Sequence, residues 1–332
     1  MTTTSTPSVT SRPVARHRVA IEAVVGAGVV LIALAYATGA SYRQDYVVLI
    51  CAYALLALGM YIPFIMSGSL SLAYNAYLGL GAYACAIVSS RWEMSSLWGV
   101  PIGMVISAAL AWLLGMATRR LSGFYLAGVT LLFGLSFQVF LLAQDNVTGG
   151  ARGLTINRPT ALGVEFDRFQ IMLAGLIVVW AAALALSKLR ESPFGVVVRL
   201  RKDAPEAVEA NGVSTSTLTL VSLAIGAAIA SVGGSLFGMM SSVAQPNSFD
   251  LHIIFLAIFM PLLGGQISPW GAVIGAAIVV VFTFELDLLA ESGTLIFAIA
   301  ILLVLRLAPQ GILGLLADIV TRVTQRRRES RS

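Results

Sequence analysis

The charged side chains of this chain gather in one internal segment, Lys188–Gly212, which makes that segment the first candidate for chemistry. Within it, Asp203 is a good N-cap, and Glu206 stands three residues later, as in a capping box. The glycine that ends the segment supplies a C-terminal stop. The pattern predicts a short helix over residues 204–211 that binds another protein, and Ser192–Pro193 predicts a further helix start upstream. The alternative is an ordinary charged loop between apolar stretches.

Other residues that could support catalysis or bind a cofactor are sparse. The cysteines, Cys51 and Cys85, lie in apolar stretches and indicate no disulfide or metal framework. Lys188 and Lys202 are the only lysines, and neither follows the GxxxxGK turn of a P-loop. The apolar stretches hold no Asp, Glu, Lys or Arg at their centres, which argues against a membrane enzyme and against proton coupling. The sequence therefore predicts no catalytic residue, no metal site and no cofactor. It predicts that the motor, the protein that supplies energy for any transport, is a separate chain.

Membrane-spanning helices are the elements that position these residues. The chain is 58% hydrophobic and 11% charged, against about 25% charged for a typical soluble domain. Stretches of about twenty apolar residues are long enough to cross a hydrocarbon core of about 30 Å. The net charge of +5 comes from arginines near the chain ends and in two loops, which is typical of membrane topology and disfavours nucleic-acid binding. The predicted spans cover residues 19–40, 46–66, 70–90, 97–117, 121–143, 170–186, 218–243, 251–284 and 288–305.

Whether residues 251–284 cross once or twice decides the topology. Lysine and arginine collect on the cytoplasmic side of a membrane, so the basic N-terminus, Arg119–Arg120, the Lys188–Lys202 cluster and the basic C-terminus are all expected inside. Both termini inside require an even number of spans. Two short helices joined at residues 264–269 give about ten, whereas one kinked helix would give about nine. The sequence therefore predicts an all-α integral membrane protein of about ten helices, with short broken helices in its C-terminal half.

The same pattern divides the chain into a central domain and two tails. Residues 1–18 are polar and predict a disordered cytoplasmic tail. Residues 19–316 predict the transmembrane domain, with residues 188–216 as its cytoplasmic loop. Residues 317–332 predict a basic cytoplasmic tail.

One predicted span is more polar than the others. Ser69, Ser71, Asn75 and Tyr77 all fall within residues 68–83. A polar group in hydrocarbon is costly unless it is partnered. These side chains either line a translocation path at a break in the helix or simply form hydrogen bonds with neighbouring helices.

Small residues recur at four-residue spacing in two further stretches. Close backbone approach drives helix association in lipid, so these stripes favour tight helix packing, with the lining of a path as the alternative. One stripe consists of Gly226, Ala230, Gly234 and Gly238, and the other of Gly271 and Gly275.

Six motifs in a fixed order cover most of the chain between Tyr46 and Leu316. They are GSLSLAYNAYLGLGAYACA (68–86), GFYLAGVTLLFG (123–134), TGGARGL (148–154), SPFGVVVRLRKDAPEAVEANGV (192–213), SFDLHIIFLAIFMPLLGGQISPWGAVIGA (248–276) and APQGILGL (308–315). In this order they resemble the permease subunits of ABC importers for branched-chain amino acids, of the LivM-like type. Each motif is weak alone, and the set of six makes the resemblance strong.

The resemblance implies a transport subunit in the bacterial inner membrane, with ATP hydrolysis on separate chains. The Lys188–Gly212 segment would be the coupling loop that seats in a cleft of an ABC ATPase. The implied partners are a paralogous permease in a heterodimer, two ABC ATPase subunits, an extracytoplasmic solute-binding protein and membrane lipid. The matching coupling positions are Glu206, Ala207, Glu209, Ala210 and Gly212, with the capping residue Asp203 before them.

The resemblance leaves the substrate and one loop open. Ser69, Asn75 and Tyr77 differ from the family's usual residues, so the substrate is a branched-chain amino acid or one of the solutes that relatives import: urea, short amides or aromatic acids. A stand-alone secondary transporter or channel is the alternative class. The outer loop over residues 144–169 either docks the binding protein or forms a structural turn, and its motif residues are Thr148, Gly149, Gly150, Arg152 and Gly153.

Overall fold

The computed structural model describes residues 26–31, 33–34, 36–37, 41–121, 123–161, 163–285 and 311. Both predicted tails and the predicted last span at residues 288–305 lie outside these ranges. Of the predicted first span, the described residues between 26 and 37 are helical. The helices that follow are α1 (Ser41–Met60), α2 (Tyr74–Arg91), α3 (Gly99–Ala117), α4 (Phe124–Ala143), α5 (Asp145–Thr148), α6 (Arg168–Glu191), α7 (Pro193–Asp203), α8 (Pro205–Ala210), α9 (Thr215–Ser241), α10 (Leu251–Gly264) and α11 (Pro269–Glu285).

Within the described residues the architecture is helical, as predicted. Five helices there are long and apolar enough to cross a membrane, and α10 and α11 are shorter apolar helices. The count of about ten spans stays a prediction. The strands are two residues each: β1 (Leu154–Thr155) pairs antiparallel with β4 (Val243–Ala244), and β2 (Thr160–Ala161) pairs antiparallel with β3 (Val164–Glu165).

Several helices begin at side chains that satisfy the free N–H groups of the first turn. Asp167 and Gln170 form a reciprocal capping box at the start of α6. The hydroxyl of Ser214 accepts from the N–H of Thr217 at the start of α9. The carboxylate of Asp250 accepts from the N–H of His252 at the start of α10. These caps explain why α6 and α9 begin two to three residues before the predicted spans, which start at residues 170 and 218.

Helix α9 forms the centre of the bundle and packs against α1, α2 and α3. A Cβ added to Gly226 would overlap the carbonyl oxygen of Gly59 in α1, and one added to Gly234 would overlap that of Leu78 in α2. The backbones therefore approach more closely than any larger residue allows. The small-residue stripe of this helix is a packing surface. Gly271 and Gly275 serve the same purpose in α11: a Cβ at Gly275 would overlap the carbonyl of Met260 in α10, and one at Gly271 would overlap the carbonyl of Gly265 in the turn after α10.

The span predicted over residues 70–90 is one helix, but it begins four residues later than predicted, after a break that separates it from α1. Helix α1 passes into a π-helix, Tyr61–Met66, and the chain is then non-helical until α2 begins at Tyr74. Gly68 has a φ of 69°, which starts the break. The freed backbone finds other partners: the N–H of Ser69 donates to the carbonyl of Pro63, and the N–H of Leu72 donates to the Thr130 hydroxyl. We call residues 67–73 the broken segment.

Residues 251–285 form two helices, as predicted, with the break at the predicted position. Helix α10 ends at Gly264, and α11 begins at Pro269. Gly265 turns the chain with a φ of 118°. The two helices then pack closely on each other.

Contacts between loops define two ends of the bundle. At one end, Arg168 forms an ion pair with Asp45 at 2.8 Å, and β1 pairs with β4. At the other end, the loop between α6 and α9 contacts the broken segment, and Gly311 lies against Gly265. We call the first the strand end and the second the basic end. The basic end also holds Arg119 and Arg120, which share a cavity with Arg201 of α7.

Candidate functional site

The loop between α6 and α9 folds as two short helices. The hydroxyl of Ser192 accepts from the N–H of Gly195 at 3.2 Å, and Pro193 occupies the first turn of α7. The predicted helix start at Ser192–Pro193 is therefore confirmed. We call α7 and α8 together the loop-helix pair.

Asp203 is the last residue of α7 and does not cap the next helix, so the predicted capping box is wrong. The N-cap of α8 is Ala204, which makes no side-chain capping bond. Because α7 continues through the basic run to Asp203, this residue has helical backbone angles, whereas an N-cap needs non-helical ones. Ala204 takes the non-helical conformation instead, as expected of a residue that precedes proline.

The C-terminal stop of α8 has the predicted form. Gly212 has a φ of 78°, and its N–H donates to the carbonyl of Glu209 at 2.9 Å. The next N–H, of Val213, donates back to Val208 at 3.3 Å, which completes a Schellman motif. Val208 is buried, and the helix keeps an outward face. The exposed residues of that face are Glu206, Ala207, Glu209 and Ala210.

Arg201 and Lys202, at the end of α7, bind the broken segment. The Nη1 of Arg201 donates to the Ser67 carbonyl at 2.7 Å, the Ser67 hydroxyl at 2.6 Å and the Ser69 hydroxyl at 2.9 Å. The Nζ of Lys202 donates to the Ile65 carbonyl at 3.2 Å. Cations here bind the carbonyl end of the π-helix, where partial negative charge collects. Partial burial lowers the pKa of Arg201 from its ordinary value, and the guanidinium nevertheless stays charged at neutral pH.

The polar residues predicted for a path lie at this break and just beyond it. Ser69 lines the cavity at the basic end. Ser71, Asn75 and Tyr77 are buried in the protein interior. The Asn75 amide donates to the carbonyls of Gly134 in α4 and Phe249 before α10, at 2.9 and 3.1 Å. The described residues thus show a helix break and interhelical hydrogen bonding by Asn75, and the lining of a path by these residues stays a prediction.

The outer-loop motif is a tight turn at the strand end. Gly149, Gly150 and Gly153 all have positive φ values, between 53° and 75°. The Thr148 hydroxyl donates to the carbonyl of Leu141 at 2.6 Å, which ties the turn to α4. Arg152 is exposed. The glycines permit the turn and bring the chain to β4, where a side chain at Gly153 would overlap the carbonyl of Ala244.

The link from Arg201 to the broken segment was missed by sequence reasoning. The two positions lie 134 residues apart, and the charge of Arg201 was interpreted only as a topology signal. The usable signal was local: a helix start at Ser192 places Arg201 in the last turn, where a cation favours carbonyl oxygens. No group of three or more His, Cys, Asp or Glu residues suited to a metal ion occurs in the described ranges.

Comparison with known proteins adds an independent line of evidence. A family model described as branched-chain amino acid transport system, permease component, matches residues 42–306. The chain is 27% identical to the high-affinity branched-chain amino acid transport system permease protein LivM of Salmonella typhimurium, over 81% of this chain and 69% of that protein. It is 25% identical to LivH of Escherichia coli and to BraD of Pseudomonas aeruginosa, over 79% of this chain and 91% of each relative. No solved structure gives a significant match.

Proposed function

The chain belongs to the family of branched-chain amino acid transport permease components, and we propose on that premise that it is one of two permease subunits of an ATP-driven importer. The loop-helix pair carries this proposal. It presents a small acidic face at the basic end and is tied by Arg201 to a break inside the bundle. An element with one free face and one face bound to a membrane span is suited to transmit the movement of a partner.

The partner on the free face is an ABC ATPase. Four side chains of α8 point outward while Val208 anchors the helix, so a cleft on another protein has access to the outer face. Asp203 is the exposed last residue of α7 and belongs to this surface, although it does not cap α8. Two permease subunits would each bind one ATPase.

Arg201 would couple the ATPase to the path. A shift of α7 acts on Ser67 and Ser69 through the hydrogen bonds that the Nη1 of Arg201 donates, with its two hydrogens shared among three oxygen atoms. Hydrogen bonds of a charged donor are short and strong, so they transmit displacement better than apolar contact does. The broken segment leads directly into α2, whose Asn75 is bonded to α4 and to the chain before α10. Movement at the basic end would thus reach three parts of the bundle.

The second permease would cover part of α3 and α4. In these two spans only 22% and 28% of the most apolar window is buried, against 89% in the span formed by α1 and the π-helix. Relatives of both the LivM and LivH types support a pair of similar, non-identical subunits. The path would run between them, with Ser69 and Ser71 at its cytoplasmic end. Asn75 and Tyr77 would support it from within the protein.

The substrate would be a branched-chain amino acid, with urea, short amides and aromatic acids as the alternatives within the family. An extracytoplasmic binding protein would deliver it to the strand end. The turn at Gly149–Gly153 is an exposed candidate for that docking, with Arg152 at its surface.

Uptake into vesicles that contain all subunits tests the proposal. We expect leucine uptake to require ATP and the binding protein. An ionophore that collapses proton and sodium gradients should leave uptake unchanged, because no Asp, Glu, Lys or Arg lies at the centre of a predicted span. Loss of uptake with the ionophore, while ATP remains available, would support the secondary transporter instead.

A further inference from the structure

A cavity of about 250 Å³ lies at the basic end, between the end of α3 and the starts of α4 and α9. It is separate from the outward face of α8 and touches the broken segment at Ser69. Its polar wall includes three arginines, Arg119, Arg120 and Arg201, and several hydroxyl side chains, among them Thr215, Ser216 and Thr219 of α9.

The cationic groups of this wall have unused hydrogen-bonding capacity. Arg119 and Arg120 are exposed, and neither side chain has a hydrogen bond or ion pair with another described residue. Arg201 uses its Nη1 on the broken segment, while its buried Nε has no partner among the described residues. Thr215 and Ser216 are the first two residues of α9, whose N–H groups have no acceptor within the helix. These donors converge on one space and favour an anion.

The apolar residues in and beside the cavity indicate which kind of anion it binds. Its floor is apolar and includes Leu126, Leu220 and Leu223. Phe124 and Tyr125, at the start of α4, are 87% and 72% exposed beside it. A cavity with a cationic wall, an apolar floor and an apolar exterior matches a phosphate that carries acyl chains. One carboxylate contacts the wall from outside, because Thr215 donates to Glu209, and three arginines outweigh it.

We propose that this cavity binds the headgroup phosphate of an anionic phospholipid from the cytoplasmic leaflet. The assignment to that leaflet rests on the proposed topology, in which the basic end is cytoplasmic. Anionic lipids concentrate there, and basic pockets between spans bind their headgroups. The phosphate would contact Arg119 and Arg120 directly, and so would sit beside Arg201 and its link between α7 and the broken segment. Occupancy of the site would hold that link in place.

Lipid retention by the purified, complete assembly tests the proposal without ATP or transport. The protein is exchanged into mixed phosphatidylglycerol and phosphatidylcholine, and bound lipid is counted by native mass spectrometry. We expect selective retention of phosphatidylglycerol, with a loss of about tenfold or more in the double variant R119Q/R120Q, because each basic residue near the surface contributes to anionic-lipid binding. Lys188→Gln removes an exposed cation in the last turn of α6, outside the cavity, and should retain the lipid.

A second variant leaves every charge in place. Thr219→Phe fills the cavity from α9 and should reduce retention as strongly as the arginine pair does. Equal retention of phosphatidylglycerol by the wild type and both variants would overturn the proposal. So would retention by the isolated subunit but not by the complete assembly, because a partner subunit would then cover the site. Displacement of bound phosphatidylglycerol by inorganic phosphate at the same concentration would show a site for a free anion and overturn the lipid assignment. Failure of ATP-driven uptake, by contrast, concerns the proposed function and leaves the lipid measurement intact.

Discussion

At the scale of single residues, Arg201 is the side chain that connects α7 to the broken segment. Its Nη1 reaches three oxygen atoms of Ser67 and Ser69, across 132 to 134 positions of sequence. Among the described residues, Arg199, two residues earlier on the same helix, bonds only to the nearby carbonyls of Gly195 and Arg190. The pair therefore separates two effects: local stability of α7, and the bond between α7 and the bundle.

We predict that Arg201→Gln lowers uptake per ATP hydrolysed by about tenfold, because hydrogen bonds to a charged group contribute about 1.5–3 kcal/mol each. Arg201→Lys keeps the charge and should restore part of the coupling. The measurement is the ratio of substrate transported to ATP hydrolysed in vesicles.

Arg199→Gln is the matched control and should leave that ratio near the wild-type value. Amounts of permease and bound ATPase should be equal in all three variants. Equal coupling in the Arg201 and Arg199 variants would show that the link does not transmit movement.

At the scale of elements, α8 is defined by its end more than by its start. It has no side-chain N-cap, whereas Gly212 and Val213 close its C-terminus through two backbone bonds. A Cβ added at Gly212 would meet no atom within 4 Å. Any penalty of substitution there is conformational and does not arise from a clash.

We predict that Gly212→Val destabilises the end of α8 by about 1–2 kcal/mol, because a β-branched residue is strained at positive φ. ATPase recovered with the permease should fall while the amount of permease in the membrane stays normal. Co-purification of the ATPase is the measurement.

Gly212→Asn is the control, since asparagine tolerates the left-handed conformation better than valine does. It should retain most of the bound ATPase. Full ATPase recovery with the valine variant would exclude α8 as the docking element.

At the scale of the whole molecule, the two ends of the bundle carry different charge. Arg119, Arg120 and Arg201 meet around one cavity, and the turn between α10 and α11 meets Gly311 at that end. The ion pair of Arg168 with Asp45 and the β1–β4 pair mark the other end. This arrangement agrees with α10 and α11 crossing the bundle as two separate passes.

We predict that the basic end is cytoplasmic and that both termini are inside, with about ten spans. Reporters placed after Arg306 and at Arg326 should both show a cytoplasmic location. A reporter in the outer loop, between residues 147 and 158, should be extracytoplasmic. An external reporter at Arg326, with a cytoplasmic control at Arg120, would show an odd number of spans.

The sequence alone determined the class of this protein and the positions of most described spans. The need for about twenty apolar residues in hydrocarbon is local, so each span can be recognised without its neighbours. The same holds for the start of α7 at Ser192, the stop at Gly212 and the break before Pro269, because each depends on the backbone preferences of one or two residues.

The tertiary structure decided what these elements do to one another. Residues 67–73 leave the helix because Thr130 and Arg201, far away in sequence, satisfy their polar groups. Asp203 lost its predicted role as a cap because α7 extends as far as that residue. Buried polar groups in a membrane protein persist only where partners exist, and those partners come from other helices. The position of the break between α1 and α2, and the cation that binds it, therefore depend on the fold as a whole.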